Sequence, residues 1–158
     1  MADGETGELV FTTLTKEGIP LIRYRTKDIT RLFYEKCKCG RTFCRMENLS
    51  GRSDDMLKIR GVNVFPSQIE EVILSVEELG PHYEIILERE GYLDKLTIKV
   101  ELAHSTDSFS VLESITRRVK EKIKIILGLD AKIMLESPNT LQRFEGKAKR
   151  VKDLRNIT

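Results

Sequence analysis

The sequence predicts an α+β fold in which two helices alternate with short strands. Two stretches carry apolar side chains at helical spacing, and residues 96–102 alternate apolar with polar side chains as a half-buried strand does. From residue 55 to residue 136 the predicted order is β-α-β-β-α-β, which is typical of a ferredoxin-like domain. A short antiparallel β subdomain is expected to precede it.

That first subdomain, residues 1–50, is predicted to be built mainly of strands. Three segments rich in β-branched and aromatic residues are separated by turn-forming residues, and they lie at residues 8–13, 21–25 and 29–33. Three short strands bury too little apolar surface to be stable alone. We therefore expect residues 8–34 to pack against another part of a protein or against a second copy, which makes a homodimer possible.

Residues 51–70, GRSDDMLKIRGVNVFPSQIE, connect the two predicted regions. The chain is expected to run through a short strand, bend at Gly61 and enter a helix at Pro66, since proline is favoured in a first helical turn. Ser67 and Glu70 stand at the spacing of a capping box. The first half of this stretch carries more charge than a hairpin needs in order to fold, which points to chemistry.

The remaining elements follow from periodicity. The first helix is predicted to bury Ile69, Val72, Ile73 and Val76. A second helix is predicted to begin near residue 107 or 108, to end at Gly128, and to bury Leu112, Ile115, Val119, Ile123 and Ile126. Further strands are expected at residues 83–89, 96–102 and 131–135, the second of them with one face in water.

Composition limits the kind of function. The 158 residues contain 27 basic and 25 acidic side chains, a formal net charge of +2, which argues against a dedicated nucleic-acid-binding protein. No apolar run approaches the roughly 18 residues of a membrane span, and the first five residues do not resemble a signal peptide. We expect a cytoplasmic protein that does not bind membranes.

The three cysteines are clustered, and their number is odd, so a disulfide framework is not indicated. Cys37, Cys39 and Cys44 could contribute to a zinc site if a fourth ligand came from elsewhere, because structural zinc takes four ligands. The alternative, reduced thiols in a surface loop with no metal, is favoured. Neither His82 nor His104 lies nearby in sequence.

Three charged segments are informative because of the order in which they occur along the chain. They are YRTKD at residues 24–28, GRSDD at 51–55 and EGK at 145–147. Arranged around a β-α-β-β-α-β core, they resemble the late motifs of the adenylate-forming acyl-CoA synthetase superfamily. The longer segments GELVFTTLTKEGIPLIRYRTKDITRL, CKCGRTFCRM, GRSDDMLKIRGVNVFPSQIE and RFEGKAKRV resemble the phenylacetate–CoA ligase family, from about residue 4 to residue 155.

The resemblance implies an ATP-dependent, AMP-forming ligase that activates an aryl carboxylic acid such as phenylacetate and transfers it to coenzyme A. It implies that Asp28 holds the ribose hydroxyls of ATP or AMP and that Arg52 donates to the ribose or the phosphates. Lys147 would contact the attacking carboxylate and the phosphate during adenylation. Asp54 would be a hinge, and the face around Gly61 would meet coenzyme A.

The resemblance also implies a large N-terminal adenylation domain, which would bind Mg²⁺ and most of the ATP and coenzyme A. Residues 1–50 would then be the last β subdomain of that body, and residues 51–158 a mobile C-terminal lid domain. On this interpretation the chain is a C-terminal fragment that is inactive alone. The alternative is a free-standing ferredoxin-like module that binds a small ligand or dimerises without catalysis.

Overall fold

A computed structural model describes residues 2–143 and 150–155 of the chain. The chain divides into two compact units, one that ends at Met56 and one that begins at Leu57. The boundary predicted from the sequence lies after residue 50, whereas this division places residues 51–56 in the first unit. No helix within the described residues is long and apolar enough to cross a membrane.

The first unit is an antiparallel sheet centred on one long strand. Strand β2 (Tyr24–Phe33) pairs with β1 (Thr6–Phe11) along one side, with β3 (Arg45–Met46) near its end and with β4 (Gly51–Arg52) near its middle. Two separate strands were predicted where β2 runs unbroken, and that prediction is wrong. Residues 26–28 do not form a connecting turn, because an irregularity in the β1–β2 register absorbs the bend within the strand.

This first unit has almost no apolar core. Among residues 2–56, Thr30 is the one residue that is fully buried, and its hydroxyl donates to the Glu47 carbonyl at 2.9 Å. Several large apolar side chains of the same unit are exposed instead, among them Val10, Leu14, Ile19 and Ile22. The expectation of a sheet that is poorly buried by itself is confirmed.

The second unit contains the core. A hairpin of β5 (Leu57–Ile59) and β6 (Val62–Val64) is followed by α1 (Pro66–Leu74), β7 (Leu79–Glu90), β8 (Leu93–Leu102), α2 (Phe109–Leu127), β9 (Lys132–Glu136) and β10 (Val151–Asp153). Among the described residues of this unit, twenty buried apolar side chains, from Ile59 to Ala131, form one continuous cluster. The Phe65 amide donates to the Gln68 side chain at 2.9 Å, so Gln68 completes the helix start that the sequence assigned to Ser67 and Glu70.

The main sheet has the strand order β10-β7-β8-β9. Strands β7 and β8 are antiparallel, whereas β9 runs parallel to β8 and β10 parallel to β7. The hairpin β5–β6 forms a separate two-stranded sheet, so the first predicted strand takes no place in the main one. An α+β domain is confirmed, but its ferredoxin-like topology is not, because β10 completes the sheet in place of that strand.

Two details of the predicted core are wrong. Strand β8 was expected to have one wet face, yet Thr97 and Glu101 on that face are buried, and Leu141 and Arg143 bind Glu101 there. In α2 the last buried residue is Leu127, while Ile126 is exposed. The helix ends at Gly128 as predicted, with φ of 67°, a left-handed conformation that favours glycine.

Candidate functional site

Strand pairing brings Asp28 and Arg52 together in the first unit. Asp28 of β2 lies directly opposite Arg52 of β4, and Arg52 Nη1 donates to Asp28 Oδ1 at 3.2 Å. The Asp28 side chain is mostly covered and that of Arg52 is about half exposed. Two residues that are 24 positions apart in sequence thus become cross-strand neighbours.

Arg52 also holds Asp54, in a two-pronged contact. Its Nε donates to Oδ1 and its Nη2 to Oδ2, both at 3.0 Å. Lys27 Nζ lies 3.3 Å from Asp54 Oδ2, and Asp55 lies 3.7 Å from Arg52 Nε. One guanidinium is therefore shared by three carboxylates, of which Asp28 and Asp54 are the closer two.

The charges of this cluster stabilise one another. The hydrogen bond from Arg52 holds the pKa of Asp54 below its ordinary value, with a further contribution from Lys27, and the Asp54 contact raises the pKa of Arg52. Exposed ion pairs contribute little to folding stability. The cluster therefore adds little to the stability of a unit that is already poorly buried.

The irregular segment of β2 fixes the direction of Asp28. Lys27 has φ of 66°, and its amide donates to Glu8 Oε1 at 3.1 Å. The Thr26 hydroxyl donates to the Leu9 carbonyl at 3.1 Å and accepts from the Asp28 amide at 3.0 Å. Glu8 also accepts from Arg25, and the sequence analysis missed it because it sits within an ordinary strand pattern.

Gly61 lies in the second unit, at the tip of the β5–β6 hairpin. Arg60 and Gly61 both have positive φ, 50° and 82°, as in the two-residue turn that matches the twist of a hairpin. A Cβ added at Gly61 would have no heavy atom within 4 Å. The tip is thus open, and a ligand can approach the backbone at that point.

Lys147 and the rest of residues 144–149 lie outside the described residues. The chain on both sides of them is firmly held. Before them, Glu101 is buried and accepts from the Leu141 amide at 2.7 Å and from Arg143 Nη2 at 2.8 Å. After them, the Arg150 guanidinium lies 4.6 Å from the centre of the Tyr83 ring.

Two of the three cysteines lie close to each other. The Cys39 thiol donates to Cys37 Sγ at 3.0 Å, which lowers the pKa of Cys37, while Cys44 Sγ lies 3.7 Å from the Arg45 carbonyl. Within residues 2–143 and 150–155, no three His, Cys, Asp or Glu side chains are arranged to hold a metal ion. Cys37 and Cys39 therefore have no third metal-ligating side chain beside them among these residues.

Of the predicted site residues, Asp28, Arg52 and Asp54 come together in the first unit. Gly61 belongs to the second unit, and Lys147 falls outside the described part. The chemistry of the cluster is plain: carboxylate oxygens can accept from hydroxyl groups, and a guanidinium can donate to an anion. Lys27 completes it, and the sequence analysis had given that residue no role.

Comparison with known proteins gives this arrangement a context. Residues 61–155 match the family described as the AMP-binding enzyme C-terminal domain. The phenylacetate-coenzyme A ligase of Escherichia coli is 50% identical over 159 residues, covering 99% of this chain and 36% of that protein. The ligase of the same name from Thermus thermophilus is 45% identical over 170 residues, covering 98% of this chain and 38% of that protein.

Solved structures agree with the sequence comparisons. A 2-hydroxyisobutyryl-CoA ligase in the postadenylation state, in complex with 2-HIB-AMP, is 33% identical with a TM-score of 0.83, over 97% of this chain and 33% of that one. A domain of phenylacetate-coenzyme A ligase from Bacteroides vulgatus is 37% identical with a TM-score of 0.62, over 66% of this chain and 97% of that one.

This chain thus spans about a third of the length of the curated relatives that it matches. The family match covers most of the second unit and begins at the hairpin tip. From these matches we conclude that the chain belongs to the family of AMP-binding enzyme C-terminal domains.

Proposed function

We propose that the chain is the C-terminal portion of an AMP-forming CoA ligase that activates an aryl carboxylic acid of the phenylacetate type. The observation that carries this proposal is the Asp28–Arg52–Asp54 cluster, found in a chain that is 50% identical to a phenylacetate-coenzyme A ligase. In the proposed reaction a carboxylate attacks the α-phosphate of ATP and pyrophosphate leaves. The thiol of coenzyme A then displaces AMP from the acyl-adenylate.

In this proposal Asp28 binds the ribose of ATP and later of AMP. Arg52 engages Oδ1 of Asp28, and the second carboxylate oxygen accepts from the ribose hydroxyls. Arg52 keeps the carboxylate ionised and directed, and its remaining N–H groups are suited to the nucleotide's oxygens. The pairing of β2 with β4 sets the position of Asp28 relative to Arg52.

Lys147 acts in the adenylation step. Its ammonium contacts the attacking carboxylate and the phosphate oxygens, on which negative charge accumulates in the transition state. A compact charge on a flexible stem is suited to that contact. The described residues on either side, Arg143 bound to Glu101 and Arg150 against Tyr83, fix where this segment leaves and rejoins the second unit.

Asp54 is the proposed hinge between the two half-reactions. It lies two residues before Met56, where the first compact unit ends. A hinge concentrates a large φ/ψ change in a few residues at such a boundary. After adenylation, rotation there withdraws Lys147 and brings the face around Gly61 to coenzyme A.

The described residues do not fit a magnesium site, because Asp28 and Asp54 are both engaged by Arg52. Mg²⁺ and most contacts to ATP and coenzyme A are therefore assigned to the adenylation domain of the longer ligase. The exposed apolar residues of the first unit would give that domain a surface to cover.

A chimaera tests the proposal. This chain replaces the matching 36% of the Escherichia coli ligase, to which it is 50% identical. Phenylacetate-dependent exchange of pyrophosphate into ATP measures adenylation, and phenylacetyl-CoA release measures the whole reaction. Lys147→Ala should lower exchange by roughly 10²- to 10³-fold, which is the usual effect of removing a group that stabilises transition-state charge.

Lys149→Ala is the matched control, because it removes a lysine from the same basic segment and should leave exchange nearly unchanged. Equal exchange rates in the parent and the Lys147→Ala chimaera would refute the assignment of Lys147. A correctly folded chimaera that shows neither half-reaction would refute the proposed function of the chain. Binding of a ligand by the chimaera without either half-reaction would favour the non-catalytic module.

A further inference from the structure

The hairpin tip that carries Gly61 is held by one buried carboxylate, Asp94. This residue lies at the start of β8, and its side chain is 10% exposed. The Arg60 amide donates to Asp94 Oδ2 at 3.4 Å, and Arg60 Nε donates to the Asp94 backbone carbonyl at 2.7 Å. Asp94 thus binds both the backbone amide and the side chain of Arg60.

The tip needs such support. Arg60 has φ of 50°, in the left-handed region that a residue with a side chain rarely adopts. Such conformations persist where surrounding contacts impose them. The strands next to the tip are anchored separately, because Ile59 and Val64 are buried in the core. The contacts of Asp94 therefore fix the orientation of the tip, whereas the buried strand residues attach the hairpin to the core.

Two arginines hold Asp94 in turn. Arg89, its cross-strand neighbour, donates to Oδ1 through Nε at 3.1 Å and Nη2 at 3.0 Å. Arg155 Nη1 donates to Oδ2 at 2.9 Å and to the Lys58 carbonyl at 2.7 Å. Arg155 is 5% exposed, and its Nη2 also bonds Asp153 of β10 at 2.7 Å, so the network joins the hairpin to strands β7, β8 and β10 of the main sheet.

Asp94 stays ionised within this network. Burial by itself raises the pKa of this carboxyl, but the hydrogen bonds from Arg89, the Arg60 amide and Arg155 outweigh burial, and the pKa is lowered. Because both of its oxygens accept hydrogen bonds, this carboxylate has a fixed orientation. The hydrogen bonds between Asp94 and Arg60 in turn fix the orientation of Arg60.

We propose that Asp94 is a positioning residue for thioester formation, which sets the orientation of the Arg60–Gly61 tip toward coenzyme A. The inference rests on the proposed function, in which Gly61 meets coenzyme A. Asp94 does not touch the reacting atoms itself. Its contacts with Arg60, Arg89 and Arg155 act on the geometry of the tip, and they leave adenylation by Lys147 unaffected.

The test uses the chimaera described above with Asp94→Asn. Transfer of the acyl group from a preformed adenylate to coenzyme A should slow roughly 10- to 100-fold, since small misplacements of a binding group have effects of this size. Pyrophosphate exchange should stay within about twofold of the parent rate, because Arg143 and Arg150, on either side of residues 144–149, keep their contacts with Glu101 and Tyr83. Asp130→Asn is the matched control, as it removes an exposed carboxylate that pairs with Lys124, and neither step should change.

A merely structural role gives a different result. If Asp94→Asn disrupted the second unit, exchange and thioester formation would fall together, because Lys147 belongs to the same unit, and the inference would be overturned. Unchanged thioester formation would also overturn it. Arg89→Gln removes one partner of Asp94 at the surface, and it should give a smaller defect that is confined to thioester formation. This second variant keeps the inference testable if Asp94→Asn is unstable.

Gly61→Ala separates this inference from the proposed function. It should slow thioester formation, because a Cβ at the tip would meet coenzyme A and because alanine is strained at a φ of 82°. If Gly61→Ala had no effect, the proposed role of Gly61 would fail and the inference about Asp94 with it. If Gly61→Ala slowed the reaction and both Asp94→Asn and Arg89→Gln did not, only the inference about Asp94 would fail.

Discussion

At the scale of single residues, Arg52 is the centre of the first unit's charge. Three carboxylates share its guanidinium, and Asp54 takes the two shortest contacts, both at 3.0 Å. The more covered Asp28 receives one donor at 3.2 Å. This unequal division leaves Asp28 with acceptor capacity for a ligand while its charge is already compensated.

Asp28 should accordingly recognise ribose rather than phosphate. In the chimaera, Asp28→Ala should raise the KM for ATP roughly 10- to 100-fold, because a charge-assisted hydrogen bond to a hydroxyl is lost. The same change should remove the preference of the enzyme for ATP over an analogue that lacks the 2′ and 3′ hydroxyls. Steady-state kinetics with both nucleotides measure the effect.

Asp55→Ala is the control for that prediction. Asp55 also lies near Arg52, at 3.7 Å, but it is largely exposed, and its removal should leave both KM values nearly unchanged. An Asp28→Ala enzyme that kept its preference for the hydroxylated nucleotide would show that Asp28 does not contact the ribose.

At the scale of elements, the segment from β4 to β5 combines a binding role with a proposed hinge. Asp54→Pro should slow thioester formation and spare adenylation, since proline fixes φ near −65° and restricts rotation at that position. Asp54→Ala is the matched control, because it also removes the carboxylate but leaves the backbone free. Single-turnover measurement of each half-reaction separates the two outcomes, and a similar loss in both variants would argue against a hinge.

Helix α2 shows how burial decides the effect of a substitution. Ile123 is 0% exposed and Ile125 is 82% exposed on the same helix. Ile123→Ala should lower the free energy of unfolding of the chain by about 2–5 kcal/mol, as a cavity opens in the core. Ile125→Ala should change it by less than about 0.5 kcal/mol. Urea unfolding followed by circular dichroism measures both, and comparable losses would mean that the helix is packed by a different face.

Local periodicity predicted elements well where one face of an element is buried against one partner. Helix α1 and most of α2 follow their stripes, and Gly128 ends α2 as expected. Prediction failed where distant residues intervene. Glu101 was placed on a wet face because nothing near it in sequence indicates that Leu141 and Arg143 will cover and bind it.

The candidate site was also predictable only in part, from those of its residues that lie in recognisable sequence motifs. The residues Asp28, Arg52 and Asp54 were predicted from their motifs; strand pairing places Asp28 opposite Arg52, and Arg52 binds Asp54 two residues further along the chain. Lys27, Glu8 and Asp94 were missed, because their roles depend on an irregular strand register and on arginines far away in sequence. Long-range ion pairs of this kind leave no periodic signal.

At the scale of the whole molecule, the two units differ in how much they can stabilise themselves. The second unit contains the continuous apolar cluster, whereas the first holds its shape mainly through strand pairing. The first unit also leaves its apolar residues in solvent, with Leu14 94% exposed. Patches of this kind associate with other surfaces.

We therefore expect the chain by itself to self-associate through residues 8–34. Light scattering over a wide range of protein concentrations should show a rising mass, because apolar burial drives association by mass action. Replacing both Leu14 and Ile19 by lysine should shift the chain toward monomer. Replacing Tyr92 and Ile125, two exposed apolar residues of the second unit, by lysine adds the same charge and should leave association unchanged.

The longer chimaera provides the decisive comparison for this surface. If residues 8–34 are covered by the adenylation domain, the chimaera should associate less than the chain alone, and the Leu14 and Ile19 substitutions should lower its stability. If the chain alone stays monomeric at every concentration, association through residues 8–34 is wrong. If chain and chimaera associate equally, the patch pairs two copies and the adenylation domain lies elsewhere.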